Sequence, residues 1–335
     1  MRIATYNVEW FNALFDRNGR LFDDDGWSGR HEVTRRAQTA ALGRVFRALD
    51  ADGVLVVEAP DALHNRSTGM ALENFAATFD LRARECVTGF TNDTQQEIAF
   101  LFDPDRLLPR HAPEPGHVDL PRFDGVFRID LDIDATEDEV VFSKPPLELS
   151  VETSGGFAFN VIGAHLKSKA PHGARNPDQV MQLAIANRRK QLAQAVWLRA
   201  RIERHLEAGT PLIVLGDLND GPGLDEYENL FGRSSVEIVM GGENEPHLFD
   251  PHARLALSRR IGAAPTSARF WVEPEQRYLQ ALLDYVMVSQ DFLTHGPRWR
   301  IWHPFDDPDC WEDADLRDAL LTASDHFPVT LDIEI

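Results

Sequence analysis

Cysteine is nearly missing: Cys86 and Cys310 are the only two in 335 residues. A pair so far apart offers neither a disulfide framework nor a cysteine metal site. Lysine is scarce as well. Of 34 basic residues only Lys144, Lys167, Lys169 and Lys190 are lysines, so arginine carries almost all the positive charge. No run of about 18 apolar residues occurs, so no membrane-spanning helix is expected. The chain opens directly on the strand pattern Met1-Arg2-Ile3-Ala4-Thr5-Tyr6-Asn7, without the apolar core of a signal peptide. A cytoplasmic location is expected, or a secreted or periplasmic one where a leader has been removed. Positive charge is also in short supply, with 54 acidic against 34 basic residues and a net charge of −20. Such a balance opposes long-range attraction to nucleic acid or anionic membranes and disfavours loose coating of DNA. It leaves room for a locally positive or metal-filled cleft.

What is present is an ordinary globular composition, 43% apolar and 26% charged, ample for a buried core. The organising stretch is Pro211-Leu212-Ile213-Val214-Leu215-Gly216-Asp217-Leu218-Asn219-Asp220. Its unbroken apolar run reads as a strand covered on both faces, stopping at a carboxylate and an amide where the sheet opens to water. Asn219-Asp220-Gly221 is also good turn chemistry by itself. The strand Gly53-Val54-Leu55-Val56-Val57-Glu58 ends the same way, on an acid.

Taken in order, residues 2–8 are a strand ending near Asn7, and 12–30 a polar loop. Within that loop Asp23-Asp24-Asp25-Gly26 lacks the ligand spacing of a calcium loop. A helix is expected over 31–49, a loop and helix through 72–79, and a strand from Glu97 to Phe102. Residues 104–125, rich in Pro and Gly, read as surface connection. Strands follow at 126–133 and 147–153, separated by a solvated acidic segment from Asp130 to Glu139. A hairpin partner runs from Phe157 to His165. His165 begins His165-Leu166-Lys167-Ser168-Lys169, where two of the four lysines stand beside a strand-end histidine and suggest an anion site. Asn176-Pro177 caps a long helix over 178–207, which leads into the 211–217 strand. Strand, helix, strand thus recurs in 2–58 and 157–217, suggesting two similar halves. Residues 221–280 are less regular. The strand Leu282 to Ser289 carries Asp284 inside it, an acid that needs a partner if buried. Residues 302–322 read as an acidic loop ending at Ser324-Asp325-His326, before a C-terminal strand over 330–335. An Asp-His pair there suits a metal ligand or an acid–base device. Trp299, Trp302 and Trp311 are expected to pack rather than to stack on a base.

The series Thr5-Tyr6-Asn7-Val8, Glu58, Gly163-Ala164-His165, Gly216-Asp217-Leu218-Asn219, Leu283-Asp284-Tyr285-Val286 and Ser324-Asp325-His326 resembles the endonuclease/exonuclease/phosphatase superfamily. That fold is shared by pancreatic-type deoxyribonucleases, abasic-site endonucleases, neutral sphingomyelinases and inositol polyphosphate 5-phosphatases. The resemblance implies one domain over 1–335, a four-layer α/β sandwich of two packed mixed sheets flanked by helices. It further implies a metal-dependent phosphodiester hydrolase, foremost a nuclease cleaving DNA or RNA by water attack on phosphorus. The alternative is a hydrolase of small phosphoesters, and an inactive binding module comes last.

By the same resemblance Glu58 is the principal Mg²⁺ ligand, with Mn²⁺ or Ca²⁺ as alternatives, joined by Asp325 and helped by Asn7. His326, oriented by Asp284, is a base or a phosphate-contacting acid, and Asp217 positions or deprotonates water. His165 and Asn219 donate to non-bridging oxygens. Lys167, Lys169, Arg175 and Arg188 would line the cleft and hold backbone phosphates. Two departures stand out: Val57 rather than Gln precedes Glu58, and His165 occupies a position where abasic-site endonucleases carry a tyrosine motif. Abasic-site repair is therefore disfavoured. The expected partner is a phosphoester, nucleic acid first, with no membrane insertion and no protein partner indicated. The His165–Lys169 string, the segment Phe142-Ser143-Lys144-Pro145-Pro146-Leu147 and Asn187-Arg188 are most similar to bacterial nuclease-type members.

Overall fold

The computed structural model describes the chain except for residues 63–64, 93, 95, 131–136, 172, 222–231, 243, 259–263 and 273–275. Among the described residues, two sheets face each other. The first orders its six strands β14-β15-β1-β2-β4-β3, and the second its five β13-β10-β9-β8-β5. Here β1 is Arg2–Asn7, β2 Gly53–Pro60, β3 Glu85–Thr88, β4 Gln96–Phe102 and β5 Leu107–His111. Two short strands, β6 (Phe127–Ile129) and β7 (Asp138–Val140), pair aside from both sheets. The rest of the second sheet is β8 (Leu147–Thr153), β9 (Ala158–His165), β10 (Leu212–Asp217) and β13 (Asp284–Val288). A separate hairpin joins β11 (Ala268–Val272) to β12 (Arg277–Ala281), while β14 (Arg298–Ile301) and β15 (Val329–Asp332) complete the first sheet.

Strands with apolar residues on every position need cover on both faces, and each has it. Leu55 and Val57 of β2 join Val161, Ile213, Leu215 and Val286 in a core between the sheets. Their neighbours Val54 and Val56 point the other way, under α1 (Arg35–Leu49), α2 (Thr68–Phe79) and a C-terminal helix at Ala314–Ala323. On the far side Leu212 and Val214 pack beneath α3 (Pro177–Glu207), against Trp197, Leu198 and Ile202. The order is therefore helix, sheet, sheet, helix. The sheets approach closely at Gly163, where a Cβ would stand 2.3 Å from a Leu55 methyl.

The strand–helix–strand repeat is present. β1 and β2 pair in parallel across α1, and β9 and β10 pair in parallel across α3, with Asp217 opposite His165. Parallel neighbours joined by a crossover end at the same edge. That edge gathers Asn7, Glu58, His165 and Asp217.

Several expectations need correction. Residues 107–111 are a strand, not connection; Pro109 is tolerated because β5 is the outermost strand of its sheet. The acidic stretch 302–322 contains two helices, Pro308–Glu312 and Ala314–Ala323, whose N-cap side chains are Asp307 and Asp313. Those carboxylates accept helix-start N–H groups, so part of the acidic run is capping chemistry. Asp23, Asp24 and Asp25 pair with Arg35 and Arg36 at the start of α1. The acidic segment 130–139 and the strand expected over 126–133 lie partly outside the described residues.

Candidate active site

Glu58 sits where β2 bulges against β4, between the paired residues Val57 and Ala59, with φ of 60°. A positive φ is costly for a residue with a Cβ, and a bulge re-aims the side chain. Burial raises the Glu58 pKa, the Lys144 and His326 charges oppose that rise, and Asp325 adds to it. Gln96, opening β4, donates its amide to Glu58 and accepts from Lys144 Nζ at 2.5 Å. Neither Gln96 nor Lys144 was singled out as a site residue from the sequence, although Lys144 is one of only four lysines.

Lys144 Nζ also lies 3.1 Å from His165 Nδ1. An ammonium has only donors, so Nδ1 must accept and the imidazole proton resides on Nε2. Burial first, then the charges of Lys144, His326 and Lys167, hold the His165 pKa well below its ordinary value. His165 is thus a neutral ring with Nε2–H facing Asp217 Oδ2 at 3.7 Å.

Asp217 ends β10 just after Gly216, whose φ is +134° and where a Cβ would fall 1.9 Å from the Ala164 carbonyl oxygen. Only glycine lets β10 run so close to β9 at this point. Asp217 is almost fully buried and accepts from Asn7 Nδ2 at 2.9 Å, from the Asn219 backbone at 2.7 Å and from Asn219 Nδ2 at 3.2 Å. Asn219, at φ 50°, also donates to the Leu166 carbonyl. Burial raises the Asp217 pKa to about 7, His326 and the amide donors opposing and Asp284 reinforcing it.

Across from it, His326 Nδ1 stands 2.7 Å from Asp284 Oδ2 and Nε2 is 4.0 Å from Asp217 Oδ2. Burial alone would lower the imidazole pKa, but Asp284, with Asp217 and Asp325 behind it, holds it well above the usual value. Ser267 Oγ donates to Asp284 at 2.8 Å while accepting the backbone N–H groups of Leu283 and Asp284. Ser324 ties the end of β1 to the segment entering its neighbour β15, donating to the Asn7 carbonyl and accepting from Glu9 N and His326 N.

The donor set suits a hard divalent cation. Asn7 Oδ1 is buried without a hydrogen-bond partner among the described residues. The Asp325 charge raises the Glu58 pKa, and Glu9, missed in the sequence, joins them: burial, then Asp325, lifts its pKa to about 7 against the pull of Arg30. Crowded carboxylates and an amide oxygen are the oxygen ligands such an ion prefers. Asp217, Asp284 and His326 also offer ligand atoms within 4.8 Å of one another, a second buried acidic and histidine group able to bind a metal.

The cations expected along the cleft do not form a track. Arg188 is 1% exposed and lies inside, its guanidinium 3.5 Å from Asp220. Lys169 contacts the same carboxylate at 2.5 Å. Lys167 is half-buried, its backbone N–H held by Gln194, and Arg175 is exposed just before α3. Asp220 therefore draws two of the four basic side chains inward.

Against known proteins, no curated sequence matches the chain. Solved structures do. TDP2 from Caenorhabditis elegans is 12% identical with a TM-score of 0.50, covering 100% of this chain and 74% of that one. An endonuclease/exonuclease/phosphatase from Bacteroides vulgatus is 12% identical at a TM-score of 0.50, covering 99% and 98%. ANGEL2, a 2′,3′-cyclic phosphatase, is 15% identical at a TM-score of 0.52, covering 100% and 96%. At such identities these likenesses speak for the fold. The model of the Endonuclease/Exonuclease/phosphatase family matches residues 4–326, from the strand that carries Asn7 to His326 itself, and the chain belongs to that family of hydrolytic, generally divalent-metal-dependent phosphoesterases.

Proposed function

We propose that the protein hydrolyses phosphodiester bonds by attack of water on phosphorus, with nucleic acid as substrate. The observation that carries this is the pairing of opposed groups at one sheet edge: a buried carboxylate with its pKa near 7, 4.0 Å from an imidazole whose pKa is pushed up. Groups whose environments separate in this way divide into acceptor and donor of protons.

In this reading Asp217, fixed by Asn7 and Asn219, orients the water and takes its proton as the oxygen–phosphorus bond forms. His326 keeps its proton and presents Nε2–H to a non-bridging oxygen. Asp284 steadies the charge on that ring from behind. His165, its tautomer set by Lys144, presents a second Nε2–H, and Asn219 an amide, to the oxygens that gain charge in the transition state. Glu58, Asp325 and Asn7 would hold a divalent cation such as Mg²⁺, and Glu9 borders the same place. When bound, that cation neutralises phosphate charge and stabilises the departing oxygen.

A second reading, a hydrolase of small phosphoesters, draws on the inward turn of Lys169 and Arg188 toward Asp220, which takes these two cations from a track for successive phosphates. The test is hydrolysis of single- and double-stranded DNA, RNA and bis(p-nitrophenyl) phosphate with Mg²⁺, Mn²⁺ or Ca²⁺, with EDTA and His326→Ala as controls. Metal-dependent cleavage of a polymer, lost in the variant, supports the first reading. Cleavage of the small diester alone supports the second, and no hydrolysis of anything sinks both.

A further inference from the structure

The hairpin β11–β12 leads straight into the catalytic elements. Ala268 bridges to His326, and the Arg269 N–H donates to the Asp325 carbonyl at 2.7 Å. Alternation along β11 sends Ala268 and Phe270 inward, against Ala281 and Leu283. It sends Arg269 and Trp271 outward. On this outer face the Trp271 and Tyr278 rings meet edge to face at 5.1 Å, and the Arg269 guanidinium lies 3.4 Å from the Tyr278 ring centre and 5.5 Å from that of Phe305. Phe305 in turn stands 6.3 Å from Trp311. Large rings are normally spent in a core. These four are 46%, 49%, 40% and 53% exposed for Trp271, Tyr278, Phe305 and Trp311. Trp302 is buried as expected, but Trp311 departs from the packing role read from its sequence.

Arg269 adds the second observation. In a chain of net charge −20, nearby Arg300 is neutralised by Asp307 and Asp309. Among the described residues Arg269 has no ion pair; its charge is stacked on aromatic faces and left to a ligand. We infer that this face is a stacking platform for the bases of a single-stranded nucleic acid, with Arg269 receiving a phosphate next to the one placed at His326. The inference rests on the hydrolase reading above and names its substrate.

The chemistry favours that occupant. Flat exposed rings bind any base through its π-face, and arginine contributes both stacking and a phosphate contact. Bases in a duplex are already stacked on one another, so the strand must be single. A lipid surface fits less well, since a net charge of −20 opposes approach to anionic membranes.

The test uses the full chain in EDTA, so that binding is read apart from hydrolysis. Oligothymidylate and oligouridylate should quench tryptophan fluorescence, the comparison separating DNA from RNA. Tyr278→Ala should weaken that binding by about 5- to 150-fold and Tyr278→Phe should preserve it. With Mg²⁺, the ratio of kcat/KM on an oligonucleotide to that on bis(p-nitrophenyl) phosphate should fall by a similar factor in Tyr278→Ala and in Arg269→Gln. Equal affinity in wild type and Tyr278→Ala would overturn the platform. So would co-sedimentation with phosphatidylcholine vesicles, or self-association, abolished by the same variant while oligonucleotides fail to bind. Hydrolysis of the small diester without oligonucleotide binding removes the platform and leaves the hydrolase. Tyr278-dependent binding without any hydrolysis does the reverse.

Discussion

Asp284→Asn changes one atom in the site and separates charge from geometry. The Asp284 side chain is 1% exposed, and its Oδ2 accepts from both Ser267 Oγ at 2.8 Å and His326 Nδ1 at 2.7 Å. Ser267 already receives two backbone N–H groups, so its hydrogen has no other use. An asparagine must therefore turn its carbonyl toward Ser267 and His326, and the Nδ1–H tautomer survives. Its NH₂ then takes the place of Oδ1, a buried position without a partner among the described residues. The unpartnered amide costs about 1–3 kcal/mol of stability. In the proposed mechanism, losing the charge behind His326 weakens the hydrogen bond that its Nε2–H offers the transition state. By analogy with removing one oxyanion donor, kcat should fall about 10²- to 10³-fold, or about 2.7–4 kcal/mol. The pH profile carries the sharper sign. Asp284 raises the pKa of His326 and of Asp217, so both limbs of the bell should move to lower pH in the variant. The assay is kcat/KM on bis(p-nitrophenyl) phosphate from pH 5 to 10. A rate within threefold of wild type, or a large loss with both limbs unmoved, would refute the assigned role.

Three further outcomes follow from the same geometry. Lys144→Met removes the donor facing His165 Nδ1; the ring should lose its single tautomer, visible in its ¹⁵N shifts, and kcat should drop about 10- to 100-fold. A single tautomer persisting in the variant would show that Lys144 does not set it. Glu148, buried beneath α3 against Arg201 at 3.1 Å, has its pKa raised to about 7 by burial, Arg201 opposing. The fold thus holds its proton more tightly than the unfolded chain does, and this stabilisation is present at low pH and lost as pH rises through 7. Urea titrations should find the stability difference between wild type and Glu148→Gln changing by about 2–3 kcal/mol from pH 5 to pH 8 in that direction, and a constant difference would contradict it. Gly216→Ala would drive a methyl into the Ala164 carbonyl at a φ of +134°; a loss of at least about 3 kcal/mol, read by thermal unfolding, is expected, and an unchanged Tm would be incompatible with this β9–β10 spacing.

The edge holding Asn7, Glu58, His165 and Asp217 was legible because each residue stands at or near the C-terminal end of a largely apolar strand, and parallel crossovers bring such ends together. Asp284 and His326 were legible as an acid within a strand and a histidine before one, although only the fold shows that Ser267 completes them. Lys144 and Gln96 left little signal. They meet His165 and Glu58 across separations of 21 and 38 positions, through pairings no local pattern encodes. Arg188 was misplaced for a related reason: on a 31-residue helix whose middle is covered by sheet and loops, a basic residue can face inward when a buried acid awaits it. Asp220 is that acid, and nothing in Asn219-Asp220-Gly221 beyond turn chemistry announced it. The helix at Ala314–Ala323 shows the converse, since Leu316, Ala319, Leu320 and Ala323 recur at helical spacing and are buried. There the periodicity was present, and the density of aspartates around it suggested a loop. Two of those aspartates are caps, so acidic charge at a helix start deserves to be weighed as structure before it is counted as surface.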